Sequence, residues 1–256
     1  MLKPGVLIIS HGSREPSWVN LVDEAVNQLP LQESIPVAVS FLEIVEGRLI
    51  QDGINLLEEQ GVTDMIVIPL FISSGSTHVD EIAYALGVKE TADCDTDLEP
   101  YHVRANIHYG VPMDDDTVVA QMVWDKVRHL SIDSDRDMIL LVGHGSIYQG
   151  FRERWEKGIS SLAVKVKAIS GVASVDYALL NPNSVQERTE YWQREYGYNV
   201  IVAPLFLSGG YFTRHVIPER LKELSYRYSG QALLPHPLLS QWIGRQVHAM
   251  LEQLKL

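Results

Sequence analysis

With 256 residues, 46% of them hydrophobic and 21% charged, and a mean hydropathy of −0.02, the chain has the balance of an ordinary globular protein of one large or two roughly 125-residue domains. A net charge of −12 and a pI near 5.1 argue against non-specific binding to nucleic acid or to an anionic membrane surface. Cys94 is the single cysteine, which excludes an internal disulfide, and no apolar run reaches the roughly 18–20 residues of a membrane span, so a cytoplasmic protein is expected.

Apolar runs alternate with longer stretches of helical spacing, the pattern of βαβ units and a parallel sheet covered on both faces. GVLIIS (5–10) reads as a buried strand, SWVNLVDEAVNQL (17–29) as a helix and VAVSFLE (37–43) as a second strand. RLIQDGINLLEEQG (48–61) is a helix closed by Gly61, MIVIPLF (65–71) a third strand and HVDEIAYALG (78–87) a short helix. An acidic loop from Lys89 to Glu99 leads to a fourth strand, HVRANIHYG (102–110), and a helix over 114–130 whose aspartates suit its N-terminal dipole.

The order then restarts. MILLVG (138–143), a helix over 150–169, VASVDYALL (172–180) and a helix closed by Gly197 are followed by VIVAPLFL (200–207), VIPERLKEL (216–224), QALLPHP (231–237) as the last strand, and a helix over 240–254. LIISHGS at 7–13 returns as LLVGHGS at 140–146, a separation of 133 residues between His11 and His144. VIPLFISSG returns as VAPLFLSGG, with 135 residues between Pro69 and Pro204. We therefore expect a duplicated α/β unit, with domains at 1–130 and 138–256 joined by the polar segment 131–137.

Ligands of open parallel sheets bind beyond the carboxyl ends of the strands, where strand order reverses. In the first half this edge carries His11, Gly12 and Ser13, then Glu43, then His78 after the SSGST loop, and His108. In the second it carries His144 and Ser146, Asn181, His215 after SGGYFT, and His236. Imidazole suits first-row divalent metals, and a nearby carboxylate can act as a ligand or take a proton. Gly and Ser after a strand are equally explained by a tight turn and a helix cap, and duplication would copy them for that reason alone. Neither a turn nor a cap needs an imidazole. His102, His129 and His248 lack such company and are read as surface residues, and Cys94, in an acidic setting that disfavours a thiolate, as a bystander. The glycines match no nucleotide-binding pattern, no GxSxG elbow occurs, and Ser10 and Gly143 precede His-Gly where phosphohistidine chemistry would want an arginine.

HGSR at 11–14, FLE at 41–43 and PLF followed by a Gly-Ser loop and His78 resemble the CbiX/SirB group of class II tetrapyrrole chelatases, and the second half repeats much of the pattern. The resemblance implies two chelatase-like α/β domains, each with a mainly parallel four-stranded sheet flanked by helices, facing across a cleft. It implies insertion of Co2+ or Fe2+, with Ni2+ also open, into sirohydrochlorin or a related precursor of siroheme or cobalamin. His11 and His78 would bind the metal, with Glu43 completing the catalytic set. Ser13, Arg14, Ser76, His108, His144, Arg214 and His215 would contact the substrate, and Arg48 and Arg152 are further candidates for its carboxylates. No organic cofactor is implied, and a monomer with internal pseudo-twofold symmetry is expected. Because Asn181 stands where the first half has Glu43, the working site is expected in the N-terminal half, with His144 on the opposite wall of the cleft. The competing reading is a metal or tetrapyrrole carrier that binds without catalysing insertion, and a second working site at the second HGS is a third.

Overall fold

In the computed structural model, which describes residues 2–32 and 34–254, the first apolar run becomes β1 (Pro4–Ser10), buried from Gly5 onward. The chain continues through α1 (Pro16–Asn27), β2 (Val37–Phe41), α2 (Ile50–Glu59), β3 (Asp64–Pro69), α3 (Thr77–Ala85) and β4 (Asn106–Tyr109). All pairings are parallel and the strand order is β2-β1-β3-β4. The chain thus moves outward from β1 to β2 and then crosses back over β1 to reach β3, so the order reverses between β1 and β3. Both are central strands, which explains their unbroken runs of apolar residues. Leu7, Ile9, Met65 and Val67 form the core of one face with Ile50, Ile54 and Leu57 of α2 and Ile82 of α3.

The second sheet repeats the scheme. α4 (Thr117–Val127) precedes β5 (Asp137–Gly145), α5 (Gln149–Ser170), β6 (Ser174–Asn181), α6 (Val185–Tyr196) and β7 (Asn199–Pro204). A π-helical turn (Phe212–Val216), α7 (Ile217–Leu221), β8 (Arg227–Tyr228) and α8 (Leu238–Leu254) complete it. Strand order is β6-β5-β7-β8, again parallel throughout. Met138, Leu140 and Val142 of β5 pack with Val200 and Val202 of β7 and with Ile217 and Leu221 of α7. Glycines at φ +70° and +66°, Gly171 and Gly197, end α5 and α6.

The repeat in the sequence and the compact units are divided differently. One unit comprises Met1–Phe71, Thr77–Pro112 and Pro237–Leu256; the other comprises Ile72–Ser76 and Met113–His236. α8 therefore packs in the first unit, on β3 and α1, with Trp242, Ile243 and Val247 buried, while α4 packs in the second, on α5 and β7. The expected boundaries at 130 and 138 follow the repeat and do not capture this grouping. An amphipathic pattern specifies that a helix buries one face, and is silent on which sheet receives it.

Two further elements differ. The last strand, expected at 231–237, is the two-residue β8 at Arg227–Tyr228. Pro235 and Pro237 have no N–H to donate to a ladder, and the segment is held instead by Leu233 N and Leu234 N donating to Phe206 O and Leu207 O. β4 is shorter than the apolar pattern suggested: Glu58 accepts from Arg104 N and Ala105 N, so those amides serve a side chain rather than the sheet.

Candidate functional site

The reversal between β1 and β3 fixes where a ligand can sit in the first unit, and the chain places His11 one residue beyond β1 and His78 at the start of α3. Gly12 makes the turn after His11 with φ +108°, and a Cβ there would lie 2.1 Å from Glu43 O. Only glycine permits this approach of the two strand ends. It is secured by Leu42 N donating to Ser10 O (2.9 Å) and Glu43 N to His11 O (3.2 Å). Ser13 Oγ accepts from Glu15 N (3.1 Å), so the serine of HGS serves the turn into α1.

The result is a cluster of two imidazoles and two carboxylates. The rings of His11 and His78 meet edge to face, centroids 4.8 Å apart at 74°. His11 Nδ1 lies 3.3 Å from Gly12 O and 3.6 Å from Glu43 Oε1. His78 Nδ1 lies 3.0 Å from Glu81 Oε2. Since carbonyl and carboxylate oxygens only accept, each neutral ring is a donor at Nδ1 and carries its lone pair on Nε2. The His11 and His78 side chains are 43% and 37% exposed, so both remain accessible to a ligand. Among the described residues, no group of three or more His, Cys, Asp or Glu side chains is arranged to hold a metal ion. The pair is accordingly a sparse donor set, with no closed coordination cage around it.

The other expected residues separate. His108 does not join this pair; its Nε2 lies 3.2 Å from Asp64 Oδ1 at the amino end of β3. Burial would raise the Asp64 carboxyl, but bonds from Thr63, His108 and Asn106 hold it below its usual range. Arg48 is committed to Asp23 through two hydrogen bonds of 2.9 and 2.7 Å and lies over the Phe41 ring, so it is a structural ion pair. Arg152 lies 4.0 Å from Glu156, one turn along α5. Arg14 is exposed beside the HGS turn. Ser76 belongs to the Ile72–Ser76 segment, which groups with the second unit. Glu81 was missed: a carboxylate three residues after His78 in a helix shares its face, and that spacing was the available signal.

In the second unit the scaffold is copied and the chemistry is not. Gly145, at φ +74°, would place a Cβ 2.1 Å from Asn181 O, as Gly12 does at Glu43. Ser146 Oγ accepts from Tyr148 N, and His144 Nδ1 lies 3.1 Å from Gly145 O. The edge-to-face partner of His144 is Phe212, with centroids 5.0 Å apart at 87°. His215, one helical turn later, lies against Tyr211, and Arg214 sits beside it on the same π-helical turn. Asn181 Nδ2 donates to the backbone oxygen of His144. His236 is paired with Asp125, 3.3 Å away, and burial lowers its pKa. A phenyl ring cannot ligate and an amide cannot take a proton, so this copy lacks the imidazole pair and the carboxylate of the first.

Comparison with known proteins matches the CbiX family model over residues 5–130 and again over 138–249. The sirohydrochlorin ferrochelatase of Bacillus subtilis (strain 168) is 22% identical over 248 residues, 96% of this chain and 88% of that protein. A sirohydrochlorin cobaltochelatase of Methanopyrus kandleri is 27% identical over 135 residues, 48% of this chain and 94% of that protein, and so about one repeat in length. The solved structure of SirB from Bacillus subtilis with Fe3+ superposes with a TM-score of 0.74 at 18% identity, over 96% of this chain and 95% of that one.

Proposed function

Because this chain belongs to the CbiX family, matched by each of its repeats, we propose that it inserts a divalent metal, Fe2+ or Co2+, into sirohydrochlorin or a closely related cyclic tetrapyrrole. The observation that carries this reading is the His11–His78 pair with Glu43 beside it at the reversal of strand order. Insertion needs a site that strips water from M2+ yet surrenders the ion, and bases that accept the two protons leaving the pyrrole nitrogens. Two imidazole Nε2 atoms without a closed cage meet the first need. The second need falls to the Glu43 carboxylate, 3.6 Å from His11 Nδ1, which can take one pyrrole proton, and to His11 Nε2, which can take the other once it has surrendered the ion to the macrocycle. Metal and macrocycle are both substrates, and the reaction calls for no organic cofactor. Ni2+ is a third candidate metal, because the same ligands accept it.

Arg14 is proposed to pair with a substrate carboxylate and Ser13 to line the site; Ser76, His144, Arg214 and His215 are proposed as substrate contacts without a part in metal handling. No helix among the described residues is long and apolar enough to cross a membrane. The reading carries with it a cytoplasmic, monomeric enzyme.

The test mixes purified protein anaerobically with sirohydrochlorin and Fe2+, Co2+ or Ni2+ and follows the change in the macrocycle's absorption. A rate above the uncatalysed one with at least one metal is expected, and His11→Ala should abolish it while His144→Ala leaves most of it. No acceleration with any metal, or tight stoichiometric retention of metal without turnover, overturns the reading, the second outcome in favour of a carrier. The reverse ranking of the two variants moves the site to the second repeat.

A further inference from the structure

Glu81 is built into the site more firmly than Glu43. Its side chain is 16% exposed, against 53% for Glu43. Oε2 lies 3.0 Å from His78 Nδ1, and Oε1 accepts from the Cys94 thiol across 3.8 Å. Cys94 is brought there by the acidic segment after α3, which doubles back onto the helix: Lys89 pairs with Asp80 and with Asp93 (3.0 Å), and Asp93 N donates to Asp80 Oδ2 (2.7 Å). Both carboxylate oxygens of Glu81 are therefore engaged before any ligand arrives, one by the loop and one by the imidazole.

We propose that Glu81 is a positioning residue that locks His78 in its Nδ1–H tautomer and so presents Nε2 as the ligand atom to the incoming metal. The inference rests on the chelatase reading for its purpose, though not for its geometry. A neutral imidazole has one proton, and a carboxylate can only accept, so the 3.0 Å contact requires that proton on Nδ1. Without the carboxylate a histidine side chain favours Nε2–H, the form that cannot ligate through Nε2. Hydrogen bonding of the second ring nitrogen to a carboxylate also fixes the ring's orientation and raises its donor strength, and loss of such a partner commonly costs 10–100-fold in metal affinity. His11 has a different arrangement, with Nδ1 nearest its own neighbour's carbonyl and Glu43 further off. The two imidazoles are thus held by unlike partners: His78 rigidly, His11 within reach of a carboxylate that stays mostly in solvent.

The test uses the full chain without tetrapyrrole, so that its outcome is independent of insertion activity. Histidine-15N-labelled protein is examined by long-range 1H–15N correlation well above the ordinary histidine pKa, with the His78 signals among the nine histidines identified by their loss in His78→Asn. The wild type should show His78 as Nδ1–H alone. Glu81→Gln, whose amide can accept from or donate to Nδ1, should show a mixture, and Glu81→Ala should show Nε2–H. Co2+ titrated into the same samples should bind Glu81→Ala about 10–100-fold more weakly, with Glu81→Gln between it and wild type. A purely structural role for Glu81 would leave the tautomer unmoved. His78 as Nε2–H in the wild type overturns the proposal by itself, even if Glu81→Ala does not fold, and so does an unchanged tautomer and Co2+ affinity in Glu81→Gln.

Discussion

Gly12 and Gly145 allow the architecture to be perturbed identically in the two repeats while the chemistry differs. In each, an alanine Cβ would stand 2.1 Å from a carbonyl oxygen, that of Glu43 or of Asn181. Contacts below 3.0 Å are not tolerated by real Cβ atoms, so each strand junction must open by about 1 Å in a tightly packed region. Positive φ in a non-glycine residue adds roughly 1–3 kcal/mol of strain, and the bonds Leu42 N to Ser10 O and Glu43 N to His11 O weaken at about 1 kcal/mol each. Gly12→Ala should therefore destabilise the protein by about 3–5 kcal/mol, and Gly145→Ala by a comparable amount, both read from urea unfolding followed by circular dichroism. Activity should separate them. Opening the Gly12 turn displaces His11 from His78 and Glu43, and a displacement of about 1 Å can cost on the order of 100-fold in rate. The Gly145 turn positions His144 against a phenyl ring, and the loss there should stay below roughly tenfold, since the metal site proposed around His11 and His78 is left in place. Equal losses of metal insertion at matched stability would refute the assignment of chemistry to the first repeat, and a Gly12→Ala protein of wild-type stability would refute the packing argument beneath it.

Further outcomes follow from two ionisable groups, Asp137 and Cys94. Asp137 is fully buried and accepts from Arg227 (2.9 Å), Asn199 (3.2 Å), Ser131 (3.1 Å), Ile132 N (2.7 Å) and Asp133 N (2.9 Å); Asp137→Ala leaves Arg227 with Leu130 O but without its carboxylate and should cost about 3–5 kcal/mol in urea unfolding. Burial alone would raise the Asp137 carboxyl, but these hydrogen bonds hold it below its usual value; its contribution is thus present above the unfolded carboxyl's pKa near 3.9 and is lost as pH falls through the lower folded value. The wild-type urea midpoint should fall below about pH 4, and an Asp137→Asn protein that loses as much stability over that range refutes the assignment. Burial and the carboxylates of Glu81 and Asp80 push the Cys94 thiol up to about 11, so iodoacetamide alkylation should be slow at neutral pH and rise with an apparent pKa near 11; a profile centred near 8.5, the ordinary thiol value, would mean that Cys94 is not held beside Glu81.

Much of the fold was legible because each parallel strand writes its burial directly as an apolar run, and because the duplication supplied every element twice. β1, β3, β5 and β7 lie where GVLIIS, MIVIPLF, MILLVG and VIVAPLFL placed them, with ends within three residues. The grouping of α4 and α8 was not legible, since packing partners are a long-range property that a periodic pattern does not encode. Nor was the π-helical turn at Phe212–Val216, in which Phe212, three residues before His215, is the ring that meets His144. Of the expected site residues, His11 and Glu43 just past strand ends and His78 at the start of α3 lie together in the fold, because the strand order brings those three chain positions to one edge. His108 and Arg48 were misplaced for a common reason: each has a carboxylate partner, Asp64 or Asp23, that only the folded chain brings within reach.

The duplicated HGS turns show which part of a repeated motif is architecture. Glycine at positive φ against the next strand's carbonyl, serine accepting from an amide two residues on, and the imidazole Nδ1 facing its neighbour's carbonyl are common to both copies. A histidine retained in such a turn is consequently no evidence of a second metal site. What differs is supplied by other elements: His78 from α3 and Glu43 from β2's end in the first unit, Phe212 from the π-helical turn and Asn181 from β6 in the second. Each difference independently removes a ligand or a base from the second copy. Two such differences on separate elements, against a preserved backbone, are what the proposed division of labour predicts, with metal handling in the first copy and only the shape of the turn kept in the second.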